Sequence, residues 1–129
     1  MAVVSAVVLG CATDAEARRP ARAKAAATNA VGEVEEGHAS YYSPSFAGRR
    51  TASGERYDPK KLTAAHKSLP LGTRIRVTRI GGAGASVVVR VNDRCGCTHG
   101  RIVDLSGAAA SRLGMLHAGV VPVRIEVLN

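Results

Sequence analysis

Two alternating apolar runs, separated by a cluster of glycines, constrain the fold of this chain more than any other feature. In Thr73 to Ile80, "TRIRVTRI", Ile75 and Val77 alternate with arginines, which is the pattern of a half-buried strand. Residues 81–84, "GGAG", predict a hairpin turn, and the β-branched run "SVVVRVN" at residues 86–92 predicts the partner strand. The pair therefore favours a sheet of short strands joined by tight turns.

The chain from residue 38 onward continues in this way, with short strands between turns. Further strands are predicted in "HASYYS", in "RIVDL" and in "VVPVRIEVL", where Val121, Val123, Ile125 and Val127 face one way. Residues 43–61 hold two prolines and two glycines and are predicted to be loop, and "LTAAHKSL" is predicted to hold a helical turn ended by Pro70.

One short helix completes the set of elements. "SGAAASRLGM" predicts it, with Ser106 as the N-cap and Gly114 at its C-terminal end. Many short strands, glycine and proline turns and a single small helix predict an all-β fold with small helical content. The pattern is that of a small closed β-barrel.

The N-terminal segment predicts export. Residues 2–12, "AVVSAVVLGCA", are too short to span a bilayer as a helix and suit the apolar core of a secretory signal. Within them "VLGC" resembles a bacterial lipobox, which would make Cys11 the lipidated residue, whereas "AEA" at residues 15–17 offers ordinary cleavage. We therefore assign residues 1–17 to a signal or lipobox region and the alanine-rich, charged residues 18–36 to a flexible tether.

The charge of the chain belongs to the predicted barrel. Residues 37–129 carry 14 basic and 5 acidic side chains, whereas residues 1–36 carry 4 basic and 5 acidic ones. Such a field favours an anionic partner, although basic residues also keep a small domain soluble. The chain has no Trp and one Phe, and thus lacks the stacking rings of a single-strand nucleic-acid platform. We expect no nucleic-acid partner, and we expect a monomer.

Acidic residues are scarce in the predicted barrel, so each one is a candidate for chemistry. Asp93 follows an apolar strand where it enters a loop, and such positions commonly carry sites, although a salt bridge or a turn would also explain it. Asp104 ends another strand just before the helix N-terminus, which suits a capping or orienting role. Glu55 lies in "TASGE", and His66 in "TAAH" offers an imidazole that is neutral near pH 7.

The stretch "CGCTH" after Asp93 raises the question of a metal site. Cys95, Cys97 and His99 could supply three ligands, with His66 as a fourth. Zinc sites usually leave at least two residues between thiolates, so we expect no metal here. A disulfide between Cys95 and Cys97 is favoured in an exported protein. Our hypothesis is that it stiffens the cleft rim beside Asp93 and takes no part in the chemistry.

Five stretches match the motifs of a known family in order. They are "GHASYYSPSFAGRRTASGERYD", "LTAAHKSLPLGTRIRVT", "VVVRVNDR", "GRIVDLSGAAASRLGM" and "GVVPVRIEVL". Together they run from Gly37 to Leu128 and closely resemble the rare lipoprotein A family. The resemblance implies a six-stranded double-psi β-barrel at residues 37–129 and a bacterial envelope lipoprotein, which strengthens the expectation that Cys11 is lipidated.

The same resemblance implies an activity. It is that of an endolytic lytic transglycosylase, which cleaves the glycan strands of peptidoglycan, leaves 1,6-anhydro-muramyl ends and needs no metal or cofactor. Matched by motif, the family's catalytic aspartate falls on Asp93, and its supporting acid and histidine fall on Glu55 and His66. Asp104 matches an acid shared with the wider barrel group, which includes expansins and small endoglucanases.

The expected substrate contacts come from the cations and rings of the cleft. Arg94, with Tyr41 or Tyr42 and with Asp104, would hold the sugars and the muramyl carboxylate or the stem peptides. The chain departs from the family in two places. Tyr42 stands where the family usually has Trp, and "CGCTH" replaces a glycine-proline-aromatic stretch. We also expect the SPOR-type glycan-binding domain that many members carry to be absent. Two alternatives stay open: a non-catalytic, expansin-like glycan-binding or wall-loosening module, and an endoglucanase-like hydrolase.

Overall fold

The computed structural model describes residues 31–81 and 83–129. The signal or lipobox region with Cys11, and residues 18–30 of the expected tether, lie outside these residues. Within the described part, six strands close into one barrel. They are β1 (Val34–Tyr41), β2 (Thr63–His66), β3 (Arg74–Arg79), β4 (Ser86–Asp93), β5 (Arg101–Leu105) and β6 (Val121–Val127). A 3-10 turn, Pro44–Phe46, and one helix, α1 (Gly107–Arg112), complete the elements of this part.

The strand order around the barrel is β1-β5-β2-β4-β3-β6. β1 runs parallel to β5, and β2 runs parallel to β4. The other four neighbouring pairs are antiparallel. The prediction of a small closed β-barrel with little helix is thereby confirmed.

The interior of the barrel is filled by the apolar residues of the alternating strands. On β3 and β4 the buried residues are Ile75, Val77, Val87, Val89 and Val91, and on β5 and β6 they are Val103, Leu105, Val121, Val123, Ile125 and Val127. Successive side chains of a strand point to opposite faces, so the arginines between them lie outside. Truncating a fully buried residue such as Leu105 to Ala would cost about 2–5 kcal/mol of stability.

β2 is a strand where the sequence predicted a helical turn, so that prediction was wrong. The strand lies between β4 and β5, and all four of its residues, "TAAH", are buried. Ala64 is the register partner of both Val91 and Leu105. A short strand enclosed in this way needs small side chains, and small residues without alternation resemble a helix in the sequence.

The first strand begins at Val34, before the boundary that the sequence placed at Gly37. Residues 34–36 pair with β6, and Glu36 forms an ion pair of 3.2 Å with Arg124. These residues are exposed, so no inward apolar period marked them. Gly37 is required by a close approach, because a Cβ there would lie 2.7 Å from Cγ2 of Ile102.

The predicted helix is present and is capped as expected. The Ser106 hydroxyl accepts a hydrogen bond of 3.2 Å from the Ala109 amide and donates one of 2.6 Å to the Lys61 carbonyl. After the helix, Gly114 adopts a φ of 67°, the left-handed conformation typical of a helix end. Within the described residues, we find no helix with the length and apolar character needed to cross a membrane.

Candidate active site

Four register partners on adjacent strands form the base of the candidate site. Ser40 of β1 pairs with Asp104 of β5, Asp104 pairs with Ala65 of β2, and Ala65 pairs with Asp93 of β4. Directly opposed residues of neighbouring strands present their side chains on the same face. We call these four residues the site row. Ala65 lies between Asp104 and Asp93 in this row, and its small side chain leaves space between the two carboxylates.

An irregularity in β4 turns Asp93 toward this face. The pairing with β2 passes from Val91, opposite Ala64, to Asp93, opposite Ala65, and skips Asn92. Strict alternation would place Asp93 on the face of Val91, which is fully buried in the core. A bulge in a strand re-aims the side chain that follows it. The extra residue therefore brings the carboxylate out of the core and into the site row.

The site row opens into a pocket of about 410 Å³, which we call the Asp93 pocket. It is lined by Ser40, Tyr41, Tyr42, Ser43, Phe46, Arg49, Arg50, Thr51, Tyr57, Asp93, Arg94, Cys95, Gly96, Arg101 and Asp104. A larger depression of about 570 Å³ shares Tyr57 with this pocket and contains Glu55 and Asn92. Both aspartates of the site row line the smaller of these two pockets.

Three donors hold the carboxylate of Asp93. Its Oδ1 accepts hydrogen bonds of 2.8 Å from the amides of Ala52 and Arg94. Its Oδ2 accepts one of 2.5 Å from the phenol of Tyr42. The carboxyl is half-buried at the wall of the pocket. One oxygen is thus fixed by the backbone, and the other is bound by a single side chain that a substrate could displace.

Tyr42 belongs to a cluster of aromatic rings in the pocket. Its ring stacks on Tyr57 with centroids 4.4 Å apart and meets Phe46 edge-on at 5.8 Å. The pKa of Tyr42 is raised above its ordinary value, mainly by burial of the phenol and secondly by its hydrogen bond to Asp93. The group therefore remains protonated and acts as a hydrogen-bond donor.

Glu55 supports the loop that reaches Asp93. Its Oε1 accepts hydrogen bonds of 3.0 Å from Nδ2 of Asn92 and from Nη2 of Arg90. These bonds lower the pKa of Glu55, and the bond from Asn92 has the larger effect. The Ser53 amide in the same loop donates to the Asn92 carbonyl at 3.1 Å. Glu55 therefore fastens the loop that delivers the Ala52 amide to Asp93, and it does not itself line the Asp93 pocket.

His66 lies on the other face of the sheet. It follows Ala65 directly in β2, so alternation directs its ring away from the site row. Nδ1 accepts hydrogen bonds of 3.0 and 3.1 Å from the amides of Ser68 and Leu69. Nε2 lies 3.0 Å from Oε1 of Glu35. The neutral ring thus carries its proton on Nε2, in a separate cavity of about 250 Å³.

Arg94 and Tyr41, which the sequence predicted to contact the substrate, form side-chain hydrogen bonds within the protein. Nη1 of Arg94 donates to the carbonyls of His66 and Leu69 at 3.2 and 2.6 Å. This guanidinium therefore joins the turn after β2 to the strand end that carries Asp93. The phenol of Tyr41 donates to the Leu116 carbonyl at 2.6 Å while the residue lines the pocket.

Asp104 is held by two side chains that the sequence did not single out. Its Oδ1 accepts a hydrogen bond of 2.5 Å from the Ser40 hydroxyl and one of 3.4 Å from Nη1 of Arg101. Nη1 of Arg101 also donates to the Ser40 hydroxyl at 2.8 Å. Ser40 and Arg101 could be identified only once the parallel pairing of β1 with β5 was known, because nothing local marks them.

The two cysteines of "CGCTH" are joined in a disulfide, with their Cα atoms 5.1 Å apart. Cys95 lines the Asp93 pocket and Cys97 is buried. A carboxylate oxygen of Asp104 lies within 4.8 Å of both sulfur atoms. His99, which the sequence grouped with these cysteines, is not part of that cluster. Both sulfur atoms therefore lie close to Asp104 of the site row.

Comparison with protein families gives a match over most of the described residues. The model of the family described as lytic transglycolase matches residues 34–125. The match begins at the first residue of β1 and ends within β6. It therefore covers the whole site row, the first five strands and most of the sixth.

Curated relatives share about half of the aligned residues. The "probable endolytic peptidoglycan transglycosylase RlpA" of Nostoc sp. is 58% identical over 96 residues, which are 73% of this chain and 26% of that protein. The "endolytic peptidoglycan transglycosylase RlpA" of Campylobacter jejuni is 48% identical over 100 residues, 78% of this chain and 36% of that protein. The chain thus spans about a quarter to a third of the length of these relatives.

Solved structures share the fold at lower identity. The Streptomyces papain inhibitor superposes with a TM-score of 0.61 at 24% identity, covering 77% of this chain and 97% of that one. A mutant of a Clavibacter michiganensis expansin in complex with cellohexaose gives a TM-score of 0.59 at 25% identity, covering 75% and 51%. These likenesses confirm the double-psi β-barrel fold.

Proposed function

Because the chain belongs to the lytic transglycolase family, as its resemblance to the rare lipoprotein A family predicted, we propose that its barrel cleaves peptidoglycan. The proposed reaction is endolytic transglycosylation of the glycan strand, which leaves a 1,6-anhydro-muramyl end. The observation that carries the proposal is the position of Asp93. It is a half-buried carboxyl in a pocket, with one oxygen fixed by two amides and the other bound by a phenol.

A single carboxyl is sufficient for this reaction. Protonated Asp93 donates its proton to the glycosidic oxygen as the bond to the anomeric carbon breaks. The resulting carboxylate then accepts the proton of the muramyl C6 hydroxyl while that oxygen attacks the anomeric carbon. No water is needed on the opposite face of the sugar, so the acid pair of an inverting hydrolase is not required.

The contacts of Asp93 hold the group in place for both steps and supply donors to the carboxylate of the second step. The amides of Ala52 and Arg94 keep Oδ1 in place through both proton transfers. Oδ2 is then the oxygen that exchanges the proton, and Tyr42, which stays protonated, donates to it when it is charged. Donors that are already aimed at developing charge need no reorganisation during the reaction.

The other predicted site residues are proposed to act on the geometry of Asp93. Glu55 fastens the loop that carries the Ala52 amide, and His66 shapes the turn whose carbonyls bind Arg94. Asp104 and Tyr41 also line the pocket. These assignments make Asp93 the group that reacts and make Glu55 and His66 positioning residues.

The proposal includes a place of action and partners. Peptidoglycan lies outside the cytoplasm, so the barrel would work in the cell envelope as an exported protein. Lipidation of Cys11, with residues 18–33 as a tether, would hold it at a membrane within reach of the glycan. We expect it to work as a monomer and without a metal or cofactor.

The test is incubation of the purified chain with peptidoglycan sacculi, followed by mass analysis of the soluble products. Anhydro-muropeptides that disappear with Asp93→Asn are the expected result. Products with reducing ends would instead identify a hydrolase. Glycan that is bound but left uncut would favour the non-catalytic, expansin-like module.

A further inference from the structure

The Asp93 pocket carries more positive than negative charge. Its lining contains four arginines and two aspartates: Arg49, Arg50, Arg94, Arg101, Asp93 and Asp104. Two of the arginines are committed to the protein. Arg101 contacts Asp104, and Arg94 binds two backbone carbonyls. Arg49, for which no side-chain hydrogen bond is found in the described part of the chain, and Arg50, with one such bond, are the arginines with most donors left for a ligand.

Arg49 and Arg50 have no carboxylate within salt-bridge distance among residues 31–81 and 83–129. Their positions are nevertheless well defined. The guanidinium of Arg49 lies over the ring of Phe46, 5.0 Å from the centroid, and Nη1 of Arg50 donates to the Gly54 carbonyl at 2.8 Å. Arginine donors held in place and facing a pocket suit the planar geometry of a carboxylate.

Arg49 is connected to Asp93 by the aromatic rings of the pocket. It lies over Phe46, Phe46 meets the edge of Tyr42, and Tyr42 donates to Asp93. Phe46 is 39% exposed, so its ring is available to the apolar face of a sugar. An exposed ring next to a free cation fits a sugar that carries a carboxylate. Neutral sugars would use the ring alone.

We propose that Arg49, with Arg50 beside it, forms a carboxylate-binding subsite that positions an acid-bearing sugar unit of the strand next to the bond cleaved at Asp93. This subsite rests on the proposed function and names the substrate group that the same pocket selects. Two sources can supply the carboxylate in peptidoglycan: the lactyl group of a muramyl residue without a peptide, and the acids of a stem peptide.

The experiment compares three preparations of the same glycan. The first consists of strands freed of peptides by an amidase, the second of those strands with their lactyl carboxylates converted to methylamides, and the third of intact peptide-bearing strands. Wild type, Arg49→Gln and Arg49→Lys are compared, with Arg112→Gln as a control of equal charge change at the end of α1, outside the pocket. Cleavage gives kcat and KM, and binding to the same variants in an Asp93→Asn background gives Kd without turnover.

We expect Arg49→Gln to raise KM and Kd roughly tenfold on carboxylate-bearing strands, with kcat nearly unchanged. Arg49→Lys should recover part of this loss, and Arg112→Gln should behave as wild type. The effect should disappear on methylamide strands. A loss confined to peptide-free strands assigns the lactyl source, and a loss confined to intact strands assigns the stem peptide.

An equal loss on methylamide strands, or no loss on any strand, would overturn the subsite. Failure of the proposed function is a separate result. If wild type cleaves nothing, the Kd values still decide whether Arg49 binds a carboxylate. If wild type cleaves all three preparations and Arg49→Gln matches it throughout, only the subsite is lost.

Discussion

The phenol of Tyr42 donates a hydrogen bond of 2.5 Å to Oδ2 of Asp93. Tyr42 directly follows β1, and Asp93 ends β4, which is separated from β1 by β5 and β2 around the barrel. The bond therefore joins the residue after β1 to the end of β4. These two strands carry the first and the last residue of the site row. The bond also places a protonated donor on the oxygen that would carry charge after proton transfer.

Tyr42→Phe removes this donor and keeps the ring. A hydrogen bond to a charged group contributes about 1.5–3 kcal/mol, so kcat/KM is expected to fall about tenfold to a hundredfold. Stability should change little, because the contacts with Tyr57 and Phe46 remain. Tyr41→Phe is the comparison variant: Tyr41 also lines the pocket, but its phenol binds the backbone carbonyl of Leu116 and not Asp93, so we expect a smaller loss. Equal losses in the two variants would contradict the role of Tyr42.

Asp93→Asn is expected to abolish cleavage while the barrel still folds. The amide cannot exchange the proton, and general acid–base catalysis commonly contributes at least about a hundredfold. Its Oδ1 still accepts from the amides of Ala52 and Arg94, and the new amide nitrogen can donate to the Tyr42 phenol oxygen, so the barrel should still fold. Anhydro-muropeptide release measures the activity. Asp104→Asn should act partly through stability, because it removes the charge of the ion pair with Arg101. Full activity in Asp93→Asn would remove the mechanism.

Glu55→Gln is expected to weaken folding more at pH 7 than at pH 3. Hydrogen bonds from Asn92 and Arg90 lower the pKa of Glu55 in the folded protein. The folded state therefore favours the ionised form. This stabilisation is present above the unfolded pKa and is lost as pH falls through the lower folded value. The carboxyl is about half exposed, so the effect is small and should shrink with added salt.

Urea unfolding of wild type and Glu55→Gln at both pH values measures this difference. Glu33→Gln serves as a charge control, because Glu33 is exposed and no salt bridge to it is found in the described part of the chain. The same pH dependence in both variants would show that the contacts of Glu55 contribute nothing specific.

His66 is expected to act through its Nδ1 acceptor and not by proton transfer. His66→Ala leaves the amides of Ser68 and Leu69 without their partner and should weaken both folding and cleavage. The Leu69 amide is buried, so its lost hydrogen bond alone costs about 1–3 kcal/mol. In His66→Asn the side-chain oxygen can take the place of Nδ1. It should therefore restore much of the stability and the activity. Activity in His66→Asn as low as in His66→Ala, with folding restored, would make the imidazole itself part of the chemistry.

Glycan cleavage should survive loss of the disulfide and treatment with a chelator. In the double variant Cys95→Ser/Cys97→Ser, activity should persist at a reduced level, because Asp93 and its donors do not involve sulfur. Alkylation of the purified chain before and after reduction, followed by mass analysis, measures whether the pair is oxidised. Stoichiometric zinc, or activity that is lost to the chelator and restored by metal, would make the stretch a metal site.

The strands that the sequence predicted are those whose burial alternates locally. β3, β4 and β6 each expose every other residue along much of their length, and that period is visible without any knowledge of the fold. β2 could not be recognised in this way because it is buried on both faces. The start of β1 was missed for the opposite reason, since residues 34–36 are exposed and held by backbone pairing with β6.

The site was predictable in its central residue and much less so in its surroundings. Asp93 stands at a strand end in a chain poor in acids. Its donors Tyr42 and Ala52 lie 51 and 41 residues away in the sequence, and only closure of the barrel brings them together. The orientation of His66 follows from alternation after Ala65, but that argument requires the segment to be recognised as a strand.

The pairing of Ala65 with both Asp93 and Asp104 also determines how the protein can be altered. Neighbouring strands are about 4.8 Å apart, so the spacing of the two carboxylates is set by three adjacent backbones. Arg94 must stay, because its amide binds Asp93, but residues 95–100 connect the strands that carry these acids without contributing to that spacing. This connection can therefore be lengthened, shortened or exchanged while the acids keep their separation. For an engineer it is the natural insertion point for a library aimed at a different pocket lining around an unchanged pair of acids.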